Sequence, residues 1–241
     1  MPPFKTVLKF SVALLFFAAL FLAPWPPVRR AYAAYFRGLG NTIFSRFWFW
    51  PDGTVRFLDP LNIQPGQLAP AGLQELQRRA WVAPPDSRHG AHRPQPAVDK
   101  VKDTLLVLEN RQNNAAFGFL RTSSRYVGYM PMATLAAFIL ATPAKWRRRG
   151  IAFLWGLLFI HVFVILRLTL MLAVGFNGTK GYSLFQLTPF WSKTLGYLEN
   201  ILQDDPTVSF VVPAFLWLVL LFRPSQWTAG TTPKEEKAEA K

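Results

Sequence analysis

IAFLWGLLFIHVFVILRLTLMLAVGF, residues 151–176, is an apolar run interrupted mainly by His161, Arg167 and Thr169. About twenty apolar residues make ~30 Å of helix, enough to cross the hydrocarbon core of a bilayer. The run therefore predicts a transmembrane helix and sets the class of the fold. Three other stretches approach the same length. Val7 to Ala23 holds SVALLFFAALFLA and stops at Pro24-Trp25-Pro26-Pro27, which cannot continue a helix. Tyr126 to Thr142 includes Gly128 and Pro131, both better tolerated in membrane helices than in soluble ones. Val208 to Phe222, VSFVVPAFLWLVLLF, falls short of a full span unless Thr207 and Arg223 help complete it. The expectation is an all-α membrane protein of about four transmembrane helices, with interfacial helices and a small two-strand extracytoplasmic cap.

Composition agrees. Of 241 residues, 51% are apolar and 15% aromatic, against 27 Lys plus Arg and 13 Asp plus Glu. Disordered chains are poor in apolar residues, and basic nucleic-acid binders are seldom this rich in Phe and Trp, so neither class fits and no nucleic-acid partner is expected. A mean hydropathy of only +0.17 requires a long polar portion beside the apolar segments. The chain has no cysteine, which removes disulfides, thiolate nucleophiles and Cys-ligated metals.

Basic residues in short loops set the orientation. Pro143 to Gly150 carries Lys145, Arg147, Arg148 and Arg149 and no acid, which marks it as cytoplasmic. Threading from there places both termini in the cytoplasm and residues 24–124 and 177–207 outside, as in a bacterial inner membrane. Lys5, Lys9 and the spacing Ala31-Tyr32-Ala33 also suit a signal peptide, but Arg29 and Arg30 stand between the apolar run and that site. Residues 1–23 are accordingly read as an anchor, 125–223 as the helical membrane core and 224–241 as a disordered cytoplasmic tail.

Within 24–124, Val28 to Trp50 spaces Tyr32, Tyr35, Phe36, Leu39, Ile43 and Phe47 as an amphipathic helix lying in the outer interface. TVRFLDPL (54–61) and TLLVLE (104–109) read as two strands, too few for an independent core. Between them lies a Pro-rich stretch, 65–96, with one helical segment around Leu73 to Trp81. Leu187, Phe190, Trp191, Leu195, Leu198 and Leu202 form a second interfacial stripe.

Arg167 is the leading candidate for chemistry. A guanidinium at the centre of a membrane helix costs about 2.5 to 3.5 kcal/mol on insertion scales, so it requires a backbone carbonyl, the membrane edge or an anionic ligand in an outer cavity. His161 is six residues away, about 120° around the helix, and reads as a packing residue. His89 and His92 have a weak metal-like spacing without further ligands, so neither metal nor cofactor is expected. Arg121-Thr122-Ser123-Ser124-Arg125-Tyr126 opens the second span, where Arg121 and Arg125 suit an anionic group such as a lipid phosphate or peptide carboxylate. Ser123 and Ser124 equally suit a helix cap.

A polar cluster opening one membrane helix, a Trp- and Arg-rich cytoplasmic turn and a long helix bearing an arginine together resemble the exosortase and archaeosortase family. The resemblance runs from about Phe117 to Arg223. It implies multi-pass membrane proteins that process partners bearing a carboxyl-terminal sorting helix. Arg125 matches the arginine of the family's Cys-Ser-Gly-x-Arg motif, and Arg167 that of its Asn-x-x-Arg, with Val164 in place of the Asn. The family's nucleophilic Cys falls on Arg121, or on Thr122 to Ser124 if the match slips, and its later Arg or His has no counterpart in the outer loop.

The functional expectation is an exosortase-like membrane protein without transpeptidase activity. It would bind lipid, a sorting-helix substrate or export-complex subunits in surface-protein or polysaccharide export. The alternatives are a hydroxyl-dependent peptidase using Ser124 or Ser123, with Asp103 or Glu109 as the nearest bases, and a purely structural subunit of a larger complex.

Overall fold

A computed structural model describes residues 4–23, 25–45, 53–63, 67–68, 70–78, 103–110, 117–177, 187–204 and 207–221. The fold is mostly helical: α1 (Phe4–Leu22), α2 (Pro26–Phe44), β1 (Gly53–Leu58), α3 (Pro70–Arg78), β2 (Thr104–Asn110), β3 (Phe117–Thr122), a π-helical turn (Arg125–Tyr129), α4 (Met130–Ala141), α5 (Trp146–Gly175), α6 (Pro189–Glu199), a second π turn (Asn200–Asp204) and α7 (Val208–Leu221). His89, His92, Phe47, Lys180, Arg223 and the 224–241 tail lie outside the described residues.

Two helices, α1 and α5, are long and apolar enough to cross a membrane. The other two expected spans are shorter. The segment from Tyr126 divides into the π turn and a 12-residue α4, and α7 has 14 residues. At 1.5 Å per residue these helices are ~18 and ~21 Å long.

The chain divides into two units, the first comprising 1–24, 130–163 and 207–241. Here α1 packs along α4, and α4 along α7. The Trp217 indole lies between Phe10 and Phe138, with ring centroids 5.5 and 5.2 Å away. Its Nε1 donates to Thr142 Oγ1 at 2.7 Å, and that hydroxyl donates to Phe138 O at 2.7 Å. A Cβ on Gly156 would lie 2.6 Å from Leu135 Cδ2, so the missing side chain lets the first half of α5 approach α4. Arg148 donates to Leu221 O at 3.1 Å, closing the carboxyl end of α7. The start of α1, the end of α4, the start of α5 and the end of α7 thus meet at one end of this unit, so successive apolar helices alternate in direction. Outward-facing residues are apolar: Leu15, Phe16, Leu154, Leu158, Val211 and Phe215 are all exposed. A water-facing helix usually presents polar residues there, so this apolar outer face agrees with the membrane association that the length and composition of α1 and α5 suggest.

The second unit comprises 25–129 and 164–206. Its sheet has three antiparallel strands in the order β1-β2-β3, not two. The added strand is FGFLRT, whose Arg121 and Thr122 are expected from the sequence at the opening of the second span, although Phe119 and Arg121 alternate with Gly118, Leu120 and Thr122 at the strand period of two. One sheet face joins Leu58, Leu105, Val107 and Phe119 to Leu68 and to Leu76 of α3 in a buried cluster. The other receives α2. The stripe Ala33, Phe36, Gly40 and Phe44 is buried, and the Phe57 ring stacks on Phe44 at 5.7 Å. A Cβ on Gly40 would lie 2.6 Å from that ring. This corrects the reading of α2 as an interfacial helix and of the strands as too few for a core: the apolar face of α2 covers the sheet and completes one. Asn41 fixes the register, its Nδ2 donating to Phe57 O at 3.0 Å and its Oδ1 accepting Phe57 N–H at 2.7 Å. Both backbone groups of an edge strand are thereby engaged.

Candidate functional site

The residues singled out in the sequence converge where β3 passes into the π turn. Ser124 is almost wholly buried, and its backbone N–H and Oγ–H donate to the two oxygens of Asp103 at 2.8 and 2.7 Å. Thr104 Oγ1 lies 3.2 Å from Asp103 Oδ1. Arg37 of α2 donates to Asp103 O at 3.3 Å and pairs with Asp59 at 3.1 Å. The Asp103 carboxylate therefore acts as a helix cap supplied from another element. It satisfies an N–H at a helix start, where negative charge also suits the helix dipole. Ser123 is buried as well; its carbonyl accepts Val127 N–H at 3.1 Å, and its Oγ has no hydrogen-bond partner among the described residues.

Arg167 is 1% exposed, and its Nη1 lies 3.3 Å from Tyr126 O and 3.5 Å from Val127 O. Helix arithmetic shows which donor this turn lacks. In an α-helix the partner of Val127 O is the N–H of residue 131, and in a π-helix the partner of Tyr126 O is also residue 131. Residue 131 is proline, which has no N–H. The local widening into a π turn and the guanidinium of Arg167 both answer to that missing donor. Gly128, at the centre of the turn, faces the hydroxyl of Tyr32, which a Cβ would strike. Burial raises the pKa of Tyr32 above the ordinary tyrosine value, so this phenol stays protonated at physiological pH.

The three arginines of the predicted anion site stand in different settings. Arg167 turns to the backbone of the π turn, and Arg125 lies beside Tyr129. Arg121 pairs in register with Leu105 and shares the sheet face of Phe119. Its neighbour Leu120, on the opposite face, packs against Gly175 of α5. His161 holds Leu157 O at 2.7 Å through Nδ1, a bond within its own helix. No group of three or more His, Cys, Asp or Glu among the described residues can hold a metal.

Sequence reasoning names Asp103 only as a candidate base beside Glu109 and gives no site role to Arg37, Asn41 or Tyr32. One signal is available: Pro131 lies five residues after Tyr126 and four after Val127, so it withholds the donor of Val127 O in an α-helix or of Tyr126 O in a π-helix. The chain matches no family model, no curated protein and no solved structure.

Proposed function

We propose that this chain is a non-catalytic, exosortase-like subunit of a bacterial inner membrane. In this reading both termini are cytoplasmic, and the protein binds lipid, a sorting-helix substrate or an export-complex partner. The observation that carries it is that Ser124, Arg167 and His161 are each already engaged within the chain. Ser124 is held by Asp103, Arg167 faces the carbonyls of the π turn, His161 is bonded within its helix, and cysteine is absent. A nucleophilic hydroxyl needs a base free to take its proton and a surface from which substrate can reach it. Here the carboxylate also accepts the Ser124 N–H, and Ser124 is buried.

A second reading rests on one distance: 2.7 Å from Ser124 Oγ to Asp103 Oδ2 also suits general-base catalysis. Asp103→Asn separates the two, because an amide oxygen still accepts the Ser124 N–H but cannot remove a proton. In cells made dependent on the chain, the binding reading expects export to continue with Asp103→Asn, and Ser124 of the wild type to resist a fluorophosphonate probe. Lost export at normal abundance, together with a labelled Ser124, would establish the peptidase. Orientation has its own test, made clean by the lack of native cysteines. A cysteine replacing Arg148 should be shielded from an impermeant thiol reagent in intact cells, and one replacing Gln67 should react; the reverse pattern would invert the topology.

A further inference from the structure

We propose that the amino-terminal turn of α5 is a binding site for an anionic phospholipid, with Arg147 on its phosphate, Arg149 adding positive charge at the same helix end, and the acyl chain along the helix below. The proposal rests on reading α5 as a membrane span.

Lys145, Arg147, Arg148 and Arg149 crowd into five residues. The crowding costs energy within the chain. The cations repel one another, and they occupy the end of the helix where the backbone dipole is also positive. Arg148 has a role in the fold, on Leu221 O. Arg147 is exposed, and Arg149 Nε is buried without a hydrogen-bond partner among the described residues. Arg149 instead lies 5.9 Å over the indole of Trp146, a side chain 75% exposed. No acid occurs in residues 1–24 or 130–163, and Lys5 and Lys9 of α1 are exposed too.

The helical face below Arg147 selects a lipid over a free anion. Ile151, Leu154 and Leu158 stand four, seven and eleven residues on, which is one helical face, and they are 52, 69 and 52% exposed. A cation directly above an unbroken exposed apolar stripe matches a phosphate joined to an acyl chain, and an exposed indole at the junction suits the headgroup boundary. The carboxyl tail is a poor rival for the site. Residues 231–241 hold Glu235, Glu236 and Glu239 against Lys234, Lys237 and Lys241, so the tail's side chains carry no net negative charge.

The test is native mass spectrometry of the full-length chain released from detergent with phosphatidylglycerol or phosphatidylcholine. At about a factor of five per cation, the wild type should retain phosphatidylglycerol on the order of thirtyfold better than Arg147→Gln with Arg149→Gln, while retention of phosphatidylcholine is unchanged. Arg147→Lys with Arg149→Lys, which preserves charge, should keep most of the preference and controls for folding. Equal retention of both lipids by the wild type, or an undiminished preference in the Gln variant, overturns the site. Displacement of the lipid by millimolar inorganic phosphate overturns the acyl component. Partitioning of the chain into water without detergent would instead refute the membrane reading on which the proposal stands.

Discussion

The two ends of α5 treat arginine in opposite ways. At its start, Arg147 and Arg149 stand in a crowd of like charges with no acid in residues 1–24 or 130–163 to answer them; twenty residues later Arg167 is 1% exposed and faces two carbonyls. The residue type is the same and the helix is continuous, so the difference lies in what each guanidinium meets. Near the carboxyl end, Pro131 has removed an N–H that would serve one of those carbonyls within its own helix. At the amino end the carbonyl of Leu221 is taken by Arg148. A buried charge is retained where the backbone has an unmet need, and clusters of charge without such a need are left to face an outside partner.

Removing Arg167 should give the largest effect. Arg167→Leu leaves the Tyr126 and Val127 carbonyls in apolar surroundings, at about 1 to 3 kcal/mol for unsatisfied buried groups, offset in part by the guanidinium's own desolvation. The expected loss is about 2 kcal/mol, read from thermal unfolding in detergent. Because Pro131 is the cause, Pro131→Ala should rescue roughly half of it: a restored N–H gives one carbonyl an internal partner. A double-mutant cycle measures that coupling, and strict additivity would show that Arg167 serves something other than the missing donor.

Asp103 comes next and extends the contrast to a negative charge. Asp103→Ala orphans both the N–H and the hydroxyl of buried Ser124, for an expected loss of about 2 kcal/mol, whereas Asp103→Asn keeps an acceptor and should lose no more than about 1 kcal/mol. Equal losses from the two would mean that charge, rather than the hydrogen bonds, holds the turn.

How much of this is legible in the sequence depends on whether the signal is local. The apolar helices follow from composition alone, because lipid demands long uniform runs, and α1 and α5 match theirs to within a few residues. FGFLRT is easily misread because its two-residue period is short and the residues that separate it from the apolar helix, Ser123 and Ser124, read as that helix's own cap. The stripe on α2 is visible as a stripe, but periodicity does not say whether it covers membrane or sheet. Gly40 is the available hint, since a missing side chain in a helix marks a close neighbour, here Phe57. The pairing of Asp103 with Ser124 spans twenty-one residues and has no local signature. Arg167 is recognisable as costly, and its partner is implied by Pro131, but only counting four and five residues back from the proline finds it.

The smallest expected change tests the apolar unit against the polar one. Trp217→Phe removes the Nε1–H that meets Thr142 Oγ1 while keeping a ring between Phe10 and Phe138. Two things limit the loss. The Thr142 hydroxyl still donates to Phe138 O, so no buried donor is stranded, and hydrogen bonds between membrane helices average only about 0.6 kcal/mol. The smaller ring also leaves a modest cavity, which adds a fraction of a buried side chain's contribution. Together these give about 1 to 1.5 kcal/mol by thermal unfolding in detergent, with Thr142→Val costing a similar or slightly smaller amount. A loss above about 3 kcal/mol from Trp217→Phe would mean that the polar contact, and not the aromatic stack, ties α4 to α7. The two units would then share one principle of cohesion, and the contrast drawn along α5 would not extend to the packing of the apolar helices.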